Sequence, residues 1–155
     1  MAEEKNKQYM KIALEEARKA SRRGEVPVGA VIVNNYNGEV MASYGNETIA
    51  RNDPSAHAEM LAIRHVCLEV KAQRVPQMDI YITLEPCPMC AAALSYARIN
   101  TVCFAASDPK SGGLLQGPRL YDHAEIHHKP KVIQGPYKQE SAKLLKDFFR
   151  ERRKK

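Results

Sequence analysis

Apolar positions recur along this chain with two distinct periods. Between residues 4 and 22, Met10, Ala13, Leu14, Ala17 and Ala20 return at spacings of three and four, the stripe of an amphipathic helix, and Gly24 ends it. The run 27–34, Pro-Val-Gly-Ala-Val-Ile-Val-Asn, is β-branched and reads as a buried strand. Asn34-Asn35-Tyr36-Asn37-Gly38 has the composition of a turn, and a strand at 39–45 completes a hairpin. Asp53-Pro54-Ser55 supplies an Asx cap and a first-turn proline for a helix running to Val70, with Met60, Ile63, Cys67 and Val70 on its apolar face. Asp79 to Leu84 is the third strand. Pro86 and Pro88 fit only a first turn, so the next helix opens around Cys87 and continues to Arg98. Thr101 to Ala106 is a fourth strand, 107–128 is aperiodic and loop-like, and 131–134 is a candidate fifth strand. Residues 137–153 form a last helix with Leu144, Leu145, Phe148 and Phe149 inward. Strands and helices alternate through the middle, which predicts an α/β layered architecture with a partly parallel sheet.

Length adds a bound: 155 residues suit one domain, expected to span 1–155. The longest apolar runs, such as Val28 to Val33, are too short to cross a bilayer. The opening Met-Ala-Glu-Glu-Lys has no apolar signal-peptide core, so a cytoplasmic protein is expected. The four cysteines, Cys67, Cys87, Cys90 and Cys103, therefore do not imply disulfides. The net charge of +6 and pI near 9.2 suit a polyanionic partner without specifying one. The segment 150–155 holds five Lys and Arg in six positions and is expected to be a basic, solvated tail.

Candidate chemistry gathers in two places, His57-Ala58-Glu59 and Pro86-Cys87-Pro88-Met89-Cys90. A lone C-x-x-C is ambiguous between redox, structural zinc and chance. Here it opens a helix, where the N-terminus lowers thiol pKa towards the thiolate that binds metal. No second C-x-x-C exists, so His57 is the natural third ligand. Three protein ligands leave a fourth tetrahedral position for water, as in a catalytic zinc site. Two thiolates cancel the formal charge of the ion, so a separate base is useful, and Glu59 is placed for it. Residues two apart diverge on an ideal helix, so His57 must sit in or before the first turn. Cys67 and Cys103 read as small buried apolar residues, and His123, His127 and His128 as a loop surface rather than a second metal site.

The H-x-E and P-C-x-x-C pair matches the signature of zinc nucleobase deaminases. Further stretches resemble the bacterial tRNA adenosine deaminases: Pro27 to Val31, Asn46, Asn52 to Glu59, Thr83 to Cys90, Ala97-Arg98-Ile99, Asp108 to Gly112 and Asp147 to Arg150. The resemblance covers residues 8 to 153. It departs after Gly112, at Gly113-Leu114-Leu115-Gln116-Gly117-Pro118-Arg119, at Ser107, and at His127-His128, in loops that meet RNA in the family.

The resemblance implies a three-layer α/β/α, cytidine-deaminase-like fold with a five-stranded mixed sheet, one zinc per chain and a homodimer. Its implied reaction is hydrolysis of adenosine to inosine at the wobble position, 34, of an anticodon stem-loop of tRNA. In it Glu59 would carry the protons, His57, Cys87 and Cys90 would hold zinc, and Asn46, Asp108 and Lys110 would meet the substrate. Two alternatives stand beside it: a deaminase of free guanine, cytosine or a nucleoside, and a non-catalytic zinc-stabilised RNA-binding module. Glu59 argues against the second, since a structural zinc site needs no acid beside it.

Overall fold

The computed structural model describes residues 2–153. Four helices and five strands follow in this order: α1 Ala2–Arg22, β1 Gly29–Asn34, β2 Val40–Gly45, α2 Ala58–Val70, β3 Met78–Leu84, α3 Pro88–Tyr96, β4 Thr101–Ala106, β5 Lys131–Gln134 and α4 Lys138–Arg153. A short 3-10 turn at Leu120–Asp122 interrupts the stretch expected to be loop.

The strands form one mixed sheet in the order β2-β1-β3-β4-β5. β1 is antiparallel to both β2 and β3, whereas β3, β4 and β5 run parallel. Side chains alternate between the faces, as the pleat requires. Ala30, Ile32, Ile80, Ile82, Val102 and Phe104 face the layer of α2 and α3. Val31, Val33, Tyr81, Cys103 and Ala105 face Tyr9, Met10 and Ala13 of α1. α4 packs on β3 and β4 on the same side as α1. Both faces are covered, which explains why the strands read as continuous apolar runs. The five predicted positions of the α1 stripe are all buried. The stripe lies close to the sheet: a Cβ on Gly29 would stand 1.9 Å from the Ala13 carbonyl oxygen.

This topology puts several chain segments at one edge. Antiparallel β1 begins where parallel β3 and β4 end, and Gly29 N–H donates to Thr83 Oγ1 at 3.0 Å. Asn46 follows β2, Cys87 follows β3 and Asp108 follows β4. Crevices at the carboxyl ends of parallel strands are the usual place for ligands in α/β sheets.

Several elements differ from expectation. α2 starts at Ala58, not near Asp53, because Asp53 closes a local turn instead: its Oδ1 accepts from the Ser55 N–H at 2.8 Å and from Ser55 Oγ at 2.7 Å. The buried face of α2 is Ala58, Glu59, Leu61, Ala62, Ile63 and Val66, while Val70 is exposed. An apolar pattern skips the charged Glu59 and so misplaces the face. α3 stops at Tyr96 rather than Arg98, whose φ of 60° is left-handed. On α4, Phe148 is buried but Phe149 is 42% exposed, because neighbouring residues point about 100° apart around a helix and only one can face the sheet.

Residues 150–153 continue α4 as an exposed helix end, in line with the helix expected over 137–153. Arg152 is held there, donating to the Gly24 carbonyl oxygen and stacking over the Phe148 ring, 4.9 Å from its centroid. Lys154 and Lys155 lie outside the described residues. No described helix is long and apolar enough to cross a membrane.

Candidate active site and metal centre

Two helix N-termini meet at the strand ends. His57 is the N-cap of α2 and Cys87 the N-cap of α3, both with extended backbone and neither using its side chain to cap. Both side chains are therefore available to a ligand. The extended conformation also resolves the divergence problem, since His57 precedes the helix and Glu59 lies in its first turn. Pro88 at the first helical position of α3 sacrifices no hydrogen bond and carries the chain on to Cys90.

His57 Nδ1 stands 3.7 Å from Cys87 Sγ and 3.4 Å from Cys90 Sγ. All three ligand atoms lie within 4.8 Å of one another. Tetrahedral zinc with bonds of about 2.0–2.3 Å separates its ligands by slightly under 4 Å, so this donor set fits one zinc ion. Hydrogen bonding from Cys90, then from His57, lowers the Cys87 thiol to about 4 against the cost of burial. Its partner Cys90 is pushed up, first by that hydrogen bond and then by burial. His57 is raised, chiefly by its contact with Cys87. An imidazole beside two cysteine sulfurs is the donor set a thiophilic metal selects. Among the described residues no other His, Cys, Asp or Glu cluster is arranged to hold a metal. His123 and His128 instead bond backbone carbonyls, of Pro118 and Ile99, at 2.8 and 2.7 Å. Cys103 is buried and Cys67 is half-buried, both away from the cluster.

Glu59 is 4% exposed and its carboxyl faces the Cys90 sulfur. Burial raises its pKa above the ordinary carboxylate value. A carboxyl held above its ordinary value in this way is suited both to taking and to returning a proton.

His57, Cys87 and Glu59 line a cavity of about 250 Å³ together with Asn46, Thr48, Val28, Glu85, Asp108 and Ser111. Pockets for drug-sized ligands run to about 300–1,000 Å³, so this one suits a single nucleobase or similar ring. Asn46 is 6% exposed, and its side-chain oxygen has no hydrogen-bond partner. A buried acceptor left unpaired is costly, so the pocket offers it to a donor on a ligand. Asp108 Oδ1 accepts from the backbone N–H groups of Lys110 and Ser111, at 3.2 and 3.0 Å, fixing a tight turn at the rim. Lys110 is exposed and outside the cavity lining, so of the three expected substrate contacts two converge and one stands at the surface. A larger cleft of about 550 Å³ lies between α1 and α4, lined by Ser21, Gly24, Phe148 and Arg152, with no metal-capable cluster.

Two buried carboxylates were not singled out from the sequence. Glu25, 1% exposed, accepts from the N–H groups of Ile49 and Ala50 at 3.1 and 2.8 Å. Glu85, 2% exposed, accepts from four backbone N–H groups in the loop after β4. Their partners are amides that every residue carries, so no residue pattern announces them.

Residues 3–106 match the model of the cytidine and deoxycytidylate deaminase zinc-binding region. A tRNA-specific adenosine deaminase of Agrobacterium fabrum is 48% identical over 145 residues, 94% of each chain. That of Bacillus subtilis is 42% identical over 147 residues, 95% of this chain and 90% of its own. Among solved structures, one from studies of A-to-I editing by tRNA:A34 deaminases superposes with a TM-score of 0.87 at 46% identity, covering 90% of this chain and 99% of that one. A guanine deaminase of Nitrosomonas europaea shares the fold at a TM-score of 0.78 and 18% identity, covering 90% of this chain and 82% of that one. With its helix-capping histidine and cysteines at ligand spacing, the chain belongs to the zinc-binding cytidine and deoxycytidylate deaminase family, alongside the tRNA-specific adenosine deaminases.

Proposed function

We propose that this protein is a hydrolase that deaminates adenosine to inosine at the wobble position, 34, of a tRNA anticodon loop. The observation that carries the chemistry is the convergence of His57, Cys87 and buried Glu59 on one cavity of nucleobase size, with Cys90 behind them completing the ligand set. The relatives, similar along nearly the whole chain and named for tRNA adenosine, support the substrate.

His57, Cys87 and Cys90 would hold one zinc ion, which when bound supplies Lewis acidity to a water. Glu59 takes the proton of the attacking water and delivers it to N1 of the adenine ring. Back in its carboxylate form, it takes the proton of the hydroxyl now on C6 and passes it to the amine, so that the C–N bond breaks, ammonia leaves and the C6 carbonyl of inosine remains. One carboxyl thus serves several steps, which its raised pKa and dry surroundings favour. The unpaired Asn46 oxygen supplies an acceptor for a donor of the purine, and Asp108 at the rim meets the ribose. Lys110, exposed beside it, is placed for a phosphate outside the cavity. A loop base is already partly unstacked, so its presentation costs less than extrusion from a duplex.

The active form in this reading is a homodimer in the cytoplasm. Leu68 and Tyr96 are 79% and 78% exposed on α2 and α3, and Met89 and Val70 add to the apolar surface there. A second copy of the chain would cover it. Sedimentation is expected to give a dimer at micromolar concentration, and a monomer would remove this part of the proposal. The test of the reaction is inosine formation in an anticodon stem-loop with adenosine at 34. Conversion of a free base or nucleoside with equal efficiency would assign the chain to free-base deamination instead.

A further inference from the structure

Glu85 stands immediately before the Pro86-Cys87 turn at the wall of the cavity, and its carboxylate is taken up by the loop that follows β4. Its Oε1 accepts from Asp108 N–H at 3.1 Å. Its Oε2 accepts from the N–H groups of Leu114, Leu115 and Gln116 at 3.0, 2.8 and 3.0 Å. No ion pair to Glu85 is formed among the described residues. The burial of this charge is compensated by convergent backbone dipoles, an anion-binding nest made from a loop. The loop closes tightly around it. A Cβ on Gly112 would lie 2.6 Å from Glu85 Oε2 and 2.6 Å from the Asp108 carbonyl oxygen. Gly113 N–H donates to the Pro86 carbonyl oxygen at 2.8 Å, seating the loop on the start of the cysteine helix. The same loop carries Asp108 and Ser111, which line the cavity, and the exposed Lys110.

We infer that Glu85 is a positioning residue for substrate: it binds no substrate itself but fixes the 108–116 loop, and through it Asp108, at the rim of the pocket. This rests on the reading of Asp108 as a substrate contact. Glutamine at 85 has one acceptor and one donor in place of two acceptors. It must set an NH₂ against either Asp108 N–H or the three amides of 114–116.

The test uses zinc-loaded full-length protein and two readouts. In Glu85→Gln, amide hydrogen exchange should accelerate within 108–116 and stay unchanged at 47–50, where Glu25 holds the opposite wall. KM for the stem-loop should rise about 10- to 100-fold, with a smaller fall in kcat, because the metal ligands and Glu59 are untouched. Added to Asp108→Ala, Glu85→Gln should have little further effect on KM, since both act through one contact. Gly112→Ala, which displaces the loop without removing the carboxylate, should reproduce the exchange and KM changes. It provides the same test should Glu85→Gln fail to fold. Unchanged exchange in 108–116, or effects of Glu85→Gln and Asp108→Ala that multiply as independent sites, would overturn the inference. Loss of stem-loop activity in the wild type would defeat the functional reading instead, and the exchange result would stand apart from it.

Discussion

His57 and Cys87 hold equivalent positions on different helices, each an N-cap whose side chain is turned to the cavity rather than to its own backbone. That shared position lets H-x-E converge despite its unfavourable helical spacing. It was legible in the sequence because ligand chemistry restricts the residue types, and prolines and the helix start restrict the backbone. Asn46 and Asp108 rest instead on resemblance, as no spacing relates them to the metal set. Glu85 escapes sequence reading for the opposite reason, since its partners are main-chain amides. Two predictions belong at this scale. Cys87→Ala and Cys90→Ala together should abolish zinc binding, read by elemental analysis, and full occupancy in that variant would refute the ligand assignment. Glu59→Ala should retain zinc and melt near wild type. Its turnover should drop by at least the roughly 10²–10⁴-fold typical of a general acid–base group. Substantial residual turnover would move the proton carrier elsewhere.

The elements were legible wherever one face is apolar throughout. The α1 stripe and the strands follow the sequence closely, because burial on both sides of the sheet writes itself into the pattern. Boundaries were less legible where local polar chemistry competes, as at Asp53, whose side chain caps a turn instead of a helix. The C-terminal segment is solvated as it reads, with one contact that the sequence does not announce: Arg152 ties it to the α1–β1 turn. Deleting 150–155 therefore removes a packing contact together with five positively charged side chains. Arg152→Ala should destabilise the fold by about 1–2 kcal/mol through the lost stacking and hydrogen bond, measured by denaturant titration. A neutral result would mean that the contact is not maintained in solution. Gly29→Ala tests the α1–β1 approach, where the added Cβ meets the Ala13 carbonyl at 1.9 Å. It should cost about 3 kcal/mol or more, because helix and strand must separate to admit it. Wild-type stability in this variant would contradict that packing.

At the scale of the whole molecule, the mixed sheet gathers Val28, Asn46, Cys87 and Asp108 from four chain segments to one edge. Alternation of strands and helices predicted the layers, but strand order depends on pairings that a single sequence does not encode locally. The net charge of +6 belongs to this scale too, since it favours association with a polyanion. Stem-loop binding should weaken linearly in log salt, by about 0.7 per phosphate contact released in single-stranded RNA. A flat salt dependence would separate the charge from substrate binding. The most direct test of the account is a comparison of deamination rates by zinc-loaded protein. Inosine formation in an adenosine-34 stem-loop would be measured beside ammonia release from free adenosine, guanine and cytosine. The account predicts efficient conversion of the stem-loop and negligible reaction of the free compounds. An untouched stem-loop beside rapid turnover of a free base would contradict it.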